Sequence, residues 1–128
     1  MPSLHLITNV KVPDAKAFAL EFSKFAAETL NKPEHYISVT YTHNEAQTFQ
    51  GTLDPAFNLS VTSLGNLSPS LNEGYSKAFF EFLHSKLGVP GDRGYIVFTD
   101  PGRAYIAYQG TTVETFAKTM LSSGEGQN

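Results

Sequence analysis

The chain has 128 residues, 41% hydrophobic and 16% charged, with nine Lys and Arg against twelve Asp and Glu and a formal net charge of −3. That is one domain's worth of folded protein, and its scattered cations speak against a binder of phosphate backbones. With no cysteine, disulfides, thiolate nucleophiles and Cys-based zinc or iron–sulfur sites are excluded, and the redox compartment stays open. The low charge density fits a surface partly covered by a partner.

The opening Met1-Pro2-Ser3-Leu4-His5-Leu6 has no basic segment ahead of an apolar run, so no signal peptide is expected. No run of about 18 apolar residues predicts a membrane span. A cytoplasmic address is the default expectation. The first periodic segment follows at once: Leu4, Leu6 and Thr8 alternate with Ser3, His5 and Ile7, as in a strand with one apolar face. Phe18, Phe22, Phe25 and Leu30, with Ala19 and Ala26, then predict an amphipathic helix over 13–30, Pro13 in its first turn and Asp14 at the positive end of its dipole.

Ile37, Val39 and Tyr41 alternate with Tyr36, Ser38 and Thr40, and Phe57, Leu59 and Val61 with Asn58, Ser60 and Thr62; both are predicted strands. Leu71, Tyr75, Phe79, Phe82 and Leu83 mark a second helix over 69–87. Ser68 is its cap, Pro69 its first residue and Gly88 its left-handed stop. Ile96 and Phe98 alternate with Tyr95, Val97 and Thr99 in a fourth strand, and a shorter one is predicted over 105–109. A single domain is expected over 1–116 and a flexible tail over 117–128, with a short helical turn fitting 115–121.

The order strand–helix–strand therefore occurs twice. The halves echo each other where Lys32-Pro33-Glu34-His35-Tyr36-Ile37 matches Val89-Pro90-Gly91-Asp92-Arg93-Gly94. Each half reads as a βαβ unit with a right-handed crossover. The expected fold class is α+β: a four-stranded mixed sheet with two helices on its apolar face and short extra strands. Its other face is polar and its edges are open, which predicts a closed homo-oligomer, because unpaired edges invite aggregation.

Three features carry chemistry. Pro2 follows an initiator Met of the kind removed before a small residue, and the freed secondary amine can serve as a base near neutral pH if burial or a nearby cation lowers its pKa. Lys32, after the first helix, suits an anionic substrate; it equally suits the negative end of the helix dipole. Only Arg93 and Arg103 offer a guanidinium fork. His5, His35, His43 and His84 lack metal-ligand spacing, and no metal or cofactor is expected. Tyr95 and Tyr108 fit a core, an interface or a pocket wall equally well.

Taken together, Met1-Pro2-Ser3-Leu4, Thr8-Asn9-Val10, Lys32-Pro33-Glu34-His35-Tyr36-Ile37-Ser38-Val39, Asp54-Pro55-Ala56, Ser63-Leu64-Gly65, Tyr75-Ser76-Lys77 and Asp92-Arg93-Gly94-Tyr95-Ile96 resemble the macrophage migration inhibitory factor and D-dopachrome tautomerase family. Phe79-Phe80-Glu81-Phe82-Leu83 is nearest the D-dopachrome branch. The resemblance implies a homotrimer with a site at each subunit boundary and keto–enol tautomerisation of an aromatic 2-oxo acid (phenylpyruvate-like, with dopachrome a further substrate). It also implies that Pro2 is the base, Lys32 binds the carboxylate, and Leu64 contacts substrate through its backbone. Tyr95 from a neighbouring subunit, Ile106 and Tyr108 would line the pocket, with Tyr36, Pro33 and Ser63 as lesser candidates.

Val97 and Tyr108 replace the asparagine and tryptophan of the mammalian factor, and Ala56 and Leu59 stand where it has its two CxxC cysteines. Loss of the asparagine's hydrogen bond, worth about 1 kcal/mol, leaves open a cytokine-like, receptor-binding protein without turnover, exported without a signal peptide. Related proline-based dehalogenases and decarboxylases hold carboxylates with arginines near the proline. Neither Arg93 nor Arg103 stands at a corresponding position.

Overall fold

The computed structural model describes residues 1–122. Strand β1 (Ser3–Thr8) leads into helix α1 (Ala15–Leu30) and strand β2 (Ser38–His43). Strand β3 (Phe57–Thr62), helix α2 (Pro69–Leu87) and strand β4 (Gly94–Thr99) repeat the pattern. The sheet order is β2-β1-β3-β4, with β1·β2 and β3·β4 parallel and β1·β3 antiparallel at the centre. Both expected βαβ units are present, side by side, and β2 and β4 are left as edges.

Alternation decides which face is buried. Leu4, Leu6, Phe57, Leu59 and Val61 lie under the helices, while Ser3, His5, Asn58 and Ser60 are exposed on the other face. Thr8 is the one polar intruder on the covered side, and its hydroxyl donates to Ala56 O at 2.7 Å and accepts from Val10 N. A buried hydroxyl so paired carries little penalty. The two helices meet through aromatic rings: Phe25 and Phe82 stack at 4.3 Å, and Phe22 meets Phe82 at 5.3 Å and Phe79 edge-on at 6.0 Å. Such pairs add about 0.5–1.5 kcal/mol each beyond their area burial.

Helix α2 is bounded as the sequence predicts, with Ser68 accepting from Leu71 N, Pro69 at the first turn and Gly88 left-handed. Helix α1 starts later than expected. Asp14 is its cap, outside the helix in extended backbone, with its carboxylate accepting from Ala17 N at 3.0 Å, so Pro13 precedes the cap. The side-chain oxygen satisfies an orphan N–H, which outweighs the fit of proline to a first turn. Leu71, placed on the apolar stripe from its spacing, is 49% exposed: the buried track of α2 begins one turn later, at Tyr75.

The β3–β4 pairing depends on one glycine. A Cβ on Gly94 would fall 2.3 Å from the fully buried Phe57 ring, which lies across the start of β4.

The C-terminal part differs most from expectation. A 3-10 turn (Arg103–Tyr105) stands where the fifth strand was expected to begin. A small hairpin follows, β5 (Ala107–Tyr108) with β6 (Thr111–Thr112), turning through Gln109 and Gly110, both at positive φ. Helix α3 (Val113–Ser122) comes next. It takes in the helical turn expected over 115–121, and the boundary expected at 116 falls inside it. Val113 and Ala117 are buried, so the packed chain continues past that boundary. The remainder of the expected tail, 123–128, lies outside the described residues. Among the described residues no helix is long and apolar enough to cross a membrane.

Candidate active site

Two clefts meet at the start of β1. The first is lined by Lys32, Leu64, Gly65 and Arg103, and by Val113, Phe116 and Ala117 from α3. The second, about 620 Å³ and more open, is lined by Pro2, Tyr36, Ile37, Ile106, Ala107 and Tyr108 among others. Met1 is the residue common to both linings. One cleft has cations at its wall, the other mainly apolar and aromatic groups.

Lys32 is positioned by the end of α1. Asn31 takes left-handed backbone (φ 53°), its N–H donates to Glu28 O, and Lys32 N donates to Ala27 O at 3.1 Å. This double bond at a helix terminus fixes the residue after the left-handed one, and Pro33 then prevents further helix. Asn tolerates the left-handed region better than most residues. The Lys32 ammonium has no hydrogen bond or ion pair among the described residues.

The opposite wall is tied down from three sides. Asp100 accepts from Gly65 N and from Gly102 N, both at 3.0 Å. Ser63 N donates to Thr99 O, and Ser63 Oγ donates to Asn66 Oδ1 at 2.5 Å. Asn66 Nδ2 in turn donates to Leu30 O. The loop carrying Leu64 is thus bound both to the end of β4 and to the helix terminus that presents Lys32. In the second cleft, Tyr36 meets Tyr108 edge-on at 5.6 Å, and Tyr108 meets Phe116 edge-on at 5.3 Å.

The N-terminal amine lies where the clefts join. Its pKa is held below that of an ordinary terminal amine, first by burial and then by the charge of Lys32; Asp100 works against both. The Asp100 carboxyl is itself held low, chiefly by the N–H groups of Gly65 and Gly102. Pro2 is fully buried, and its carbonyl accepts from Ser38 N.

The residues picked from sequence divide into two groups. Pro2, Lys32, Leu64, Tyr36, Ile106 and Tyr108 converge on the two clefts. Ser63 is buried and its hydroxyl is engaged by Asn66, so it shapes the loop without lining either cleft. Pro33 is exposed and caps a single 3-10 turn. Tyr95 is aligned through Asn58 with Ile7, four positions along β1 from Ser3, and its ring lies 4.9 Å from Phe49. It is 67% exposed and lines neither cleft within this chain.

Arg103, set aside for lack of a corresponding position, lines the lysine cleft. Arg93 does not: it is buried, donating to Pro55 O and Asp54 O at 2.9 and 3.0 Å. Gly65, Ile37 and the residues of α3 were missed. Gly65 and Ile37 adjoin the picked Leu64 and Tyr36, whereas no local pattern marks the α3 residues, whose place depends on how the C-terminal part folds back.

Two βαβ halves, with the first strand opening at a terminal amine beside a lysine-lined cleft, define a protein of the tautomerase fold. A family model described as macrophage migration inhibitory factor (MIF) matches residues 1–114, and the chain belongs to that family. It is 33% identical over 113 residues to a macrophage migration inhibitory factor homolog of Trichinella spiralis, covering 88% of this chain and 99% of that one. It is 33% identical over 109 residues to the macrophage migration inhibitory factor of Rattus norvegicus, covering 83% and 95%. Among solved structures, the crystal structure of a homologue from Prochlorococcus marinus superposes with a TM-score of 0.80 at 30% identity, over 87% of this chain and 98% of that one.

Proposed function

We propose that, after removal of Met1, the chain is a keto–enol tautomerase of aromatic 2-oxo acids with the Pro2 nitrogen as its base. The observation that carries this reading is the position of Met1 at the junction of a cationic and an aromatic cleft. Its loss joins the clefts and transfers the chain's free amine to Pro2. The burial and the Lys32 charge that lower the Met1 amine then act on the proline nitrogen and favour its unprotonated form.

A substrate such as phenylpyruvate places its carboxylate against Lys32, with Arg103 beside it, and its ring among Tyr36, Ile106 and Tyr108. The Pro2 nitrogen takes the proton from the methylene carbon next to the carbonyl. The electron pair of that C–H bond becomes the new C=C bond, and the carbonyl oxygen receives the proton back as the enol. The apolar walls exclude water, which strengthens the attraction between carboxylate and lysine. The open edges of β2 and β4 and the exposed face bearing Tyr95 support a homotrimer in which Tyr95 completes the aromatic wall of a neighbouring site.

The test is a phenylpyruvate assay on protein whose free Pro2 is confirmed by mass, beside protein retaining Met1 and beside Pro2→Gly. Loss of a positioned acid–base group costs roughly 10²–10⁴-fold, so protein retaining Met1, whose Pro2 nitrogen is an amide, should fall by at least about 100-fold; Pro2→Gly keeps a terminal amine without the ring that fixes it and should fall less. Equal turnover in all three would remove Pro2 from the chemistry.

A further inference from the structure

Helix α3 lies largely beyond residues 1–114, the segment the family model matches, and two of its side chains that lie beyond that segment, Phe116 and Ala117, line the lysine cleft. Phe116 also packs edge-on against Tyr108, which packs edge-on against Tyr36, and both tyrosines line the aromatic cleft. One ring therefore walls the cationic cleft on one side and braces the aromatic cleft on the other. The helix that carries it is anchored: Val113 N donates to Ile106 O at 2.9 Å, Val113 and Ala117 are buried, and Thr112 Oγ1 accepts from Thr115 N at 3.3 Å.

We infer that Phe116 is the specificity-determining residue that sets the distance this site accepts between the carboxylate and the aryl ring of its substrate. The inference rests on the tautomerase reading above. Lys32 and the Tyr36–Tyr108 pair fix where the two ends of a substrate can lie. Phe116, half-buried, stands on the boundary between those two regions and packs edge-on against Tyr108. A short linker, as in phenylpyruvate, spans the junction where Met1 now lies. A linker longer by one methylene drives either the carboxylate toward Phe116 or the ring against Tyr108. Truncating Phe116 removes the wall and the brace together.

The experiment compares wild type, Phe116→Ala and Phe116→Leu with phenylpyruvate and its one-methylene homologue, 2-oxo-4-phenylbutanoate. A methylene in a closed pocket discriminates by roughly 10-fold or more, so wild type should favour phenylpyruvate in kcat/KM by about that factor. Phe116→Ala should raise KM for phenylpyruvate more than it lowers kcat, and bring the preference near one; Phe116→Leu should fall between. Dissociation constants of the same two acids, read from quenching of tyrosine fluorescence, apply the same ratio without turnover. Binding preference that shifts with Phe116 in protein showing no turnover keeps the wall and removes the tautomerase reading. Turnover whose preference is unchanged in Phe116→Ala, or a parallel loss on both acids, overturns the role of Phe116, as does failure of phenylpyruvate to bind wild type.

Discussion

The two halves of the molecule are the same unit used for different ends. Each has two parallel six-residue strands and a covering helix, and each has a proline shortly after that helix. In the second half the matching positions are closed. Val89, which matches Lys32, is 1% exposed, and Ala56, which precedes β3 as Pro2 precedes β1, is fully buried within a continuous chain. In the first half the strand opens at the terminus, and the matching position carries a cation facing a cleft. The candidate clefts lie where the two copies differ.

The cations make the contrast sharpest. Arg93 in the second half is buried, and its guanidinium reaches Pro55 O, Asp54 O and Gln50 Oε1. It also lies over the Phe49 ring at 5.6 Å, and Phe49 packs on Tyr95. Arg93→Met keeps the length of the side chain and removes its donors, so Pro55 O loses its partner while Asp54 O keeps only Asn9 Nδ2. Charged hydrogen bonds contribute about 1.5–3 kcal/mol, so a stability loss of about 2–4 kcal/mol is expected in urea unfolding at fixed protein concentration. A loss no larger than that of an exposed lysine variant would show that the second half is not the closed one.

How far this division was legible in the sequence varies by element. The strand alternations and the caps of α2 are local signals, with a period or a dipeptide behind each, and they hold to within one or two residues. Pro13 and Leu71 went astray where two local preferences compete or where the helix outruns the core. Pro2 and Lys32 are ambiguous as single residues, and their pairing entered through resemblance. Arg103 and Phe116 had no signal, since only the fold-back of residues 101–122 brings them to the cleft.

The next contrast within the site concerns Lys32. Lys32→Gln removes both the carboxylate's partner and one of the two causes that lower the amine. KM for phenylpyruvate should rise roughly tenfold, in keeping with loss of about 1.4 kcal/mol from a partly exposed charge pair. The acidic limb of the pH–rate profile should move to higher pH. The proposed base works unprotonated, Lys32 disfavours the protonated form, and without it protonation persists to higher pH. An unmoved limb would mean that burial alone sets the amine.

Asp100 gives the smallest effect and the opposite sign. Its negative charge raises the amine's pKa against burial and Lys32, so Asp100→Asn should move the acidic limb to lower pH. Its own carboxyl is lowered by Gly65 N–H and Gly102 N–H from the ordinary 3.8, so the folded state binds its proton less readily than the unfolded chain. The stability this supplies is present above 3.8 and is lost as pH falls through the lower folded value. The group is largely solvent-exposed, and screening holds its contribution below about 1 kcal/mol. Wild type should therefore exceed Asp100→Asn slightly at neutral pH, with the gap closing below that window. Limbs that shift the same way in the Lys32 and Asp100 variants would show that the two charges do not act on one amine.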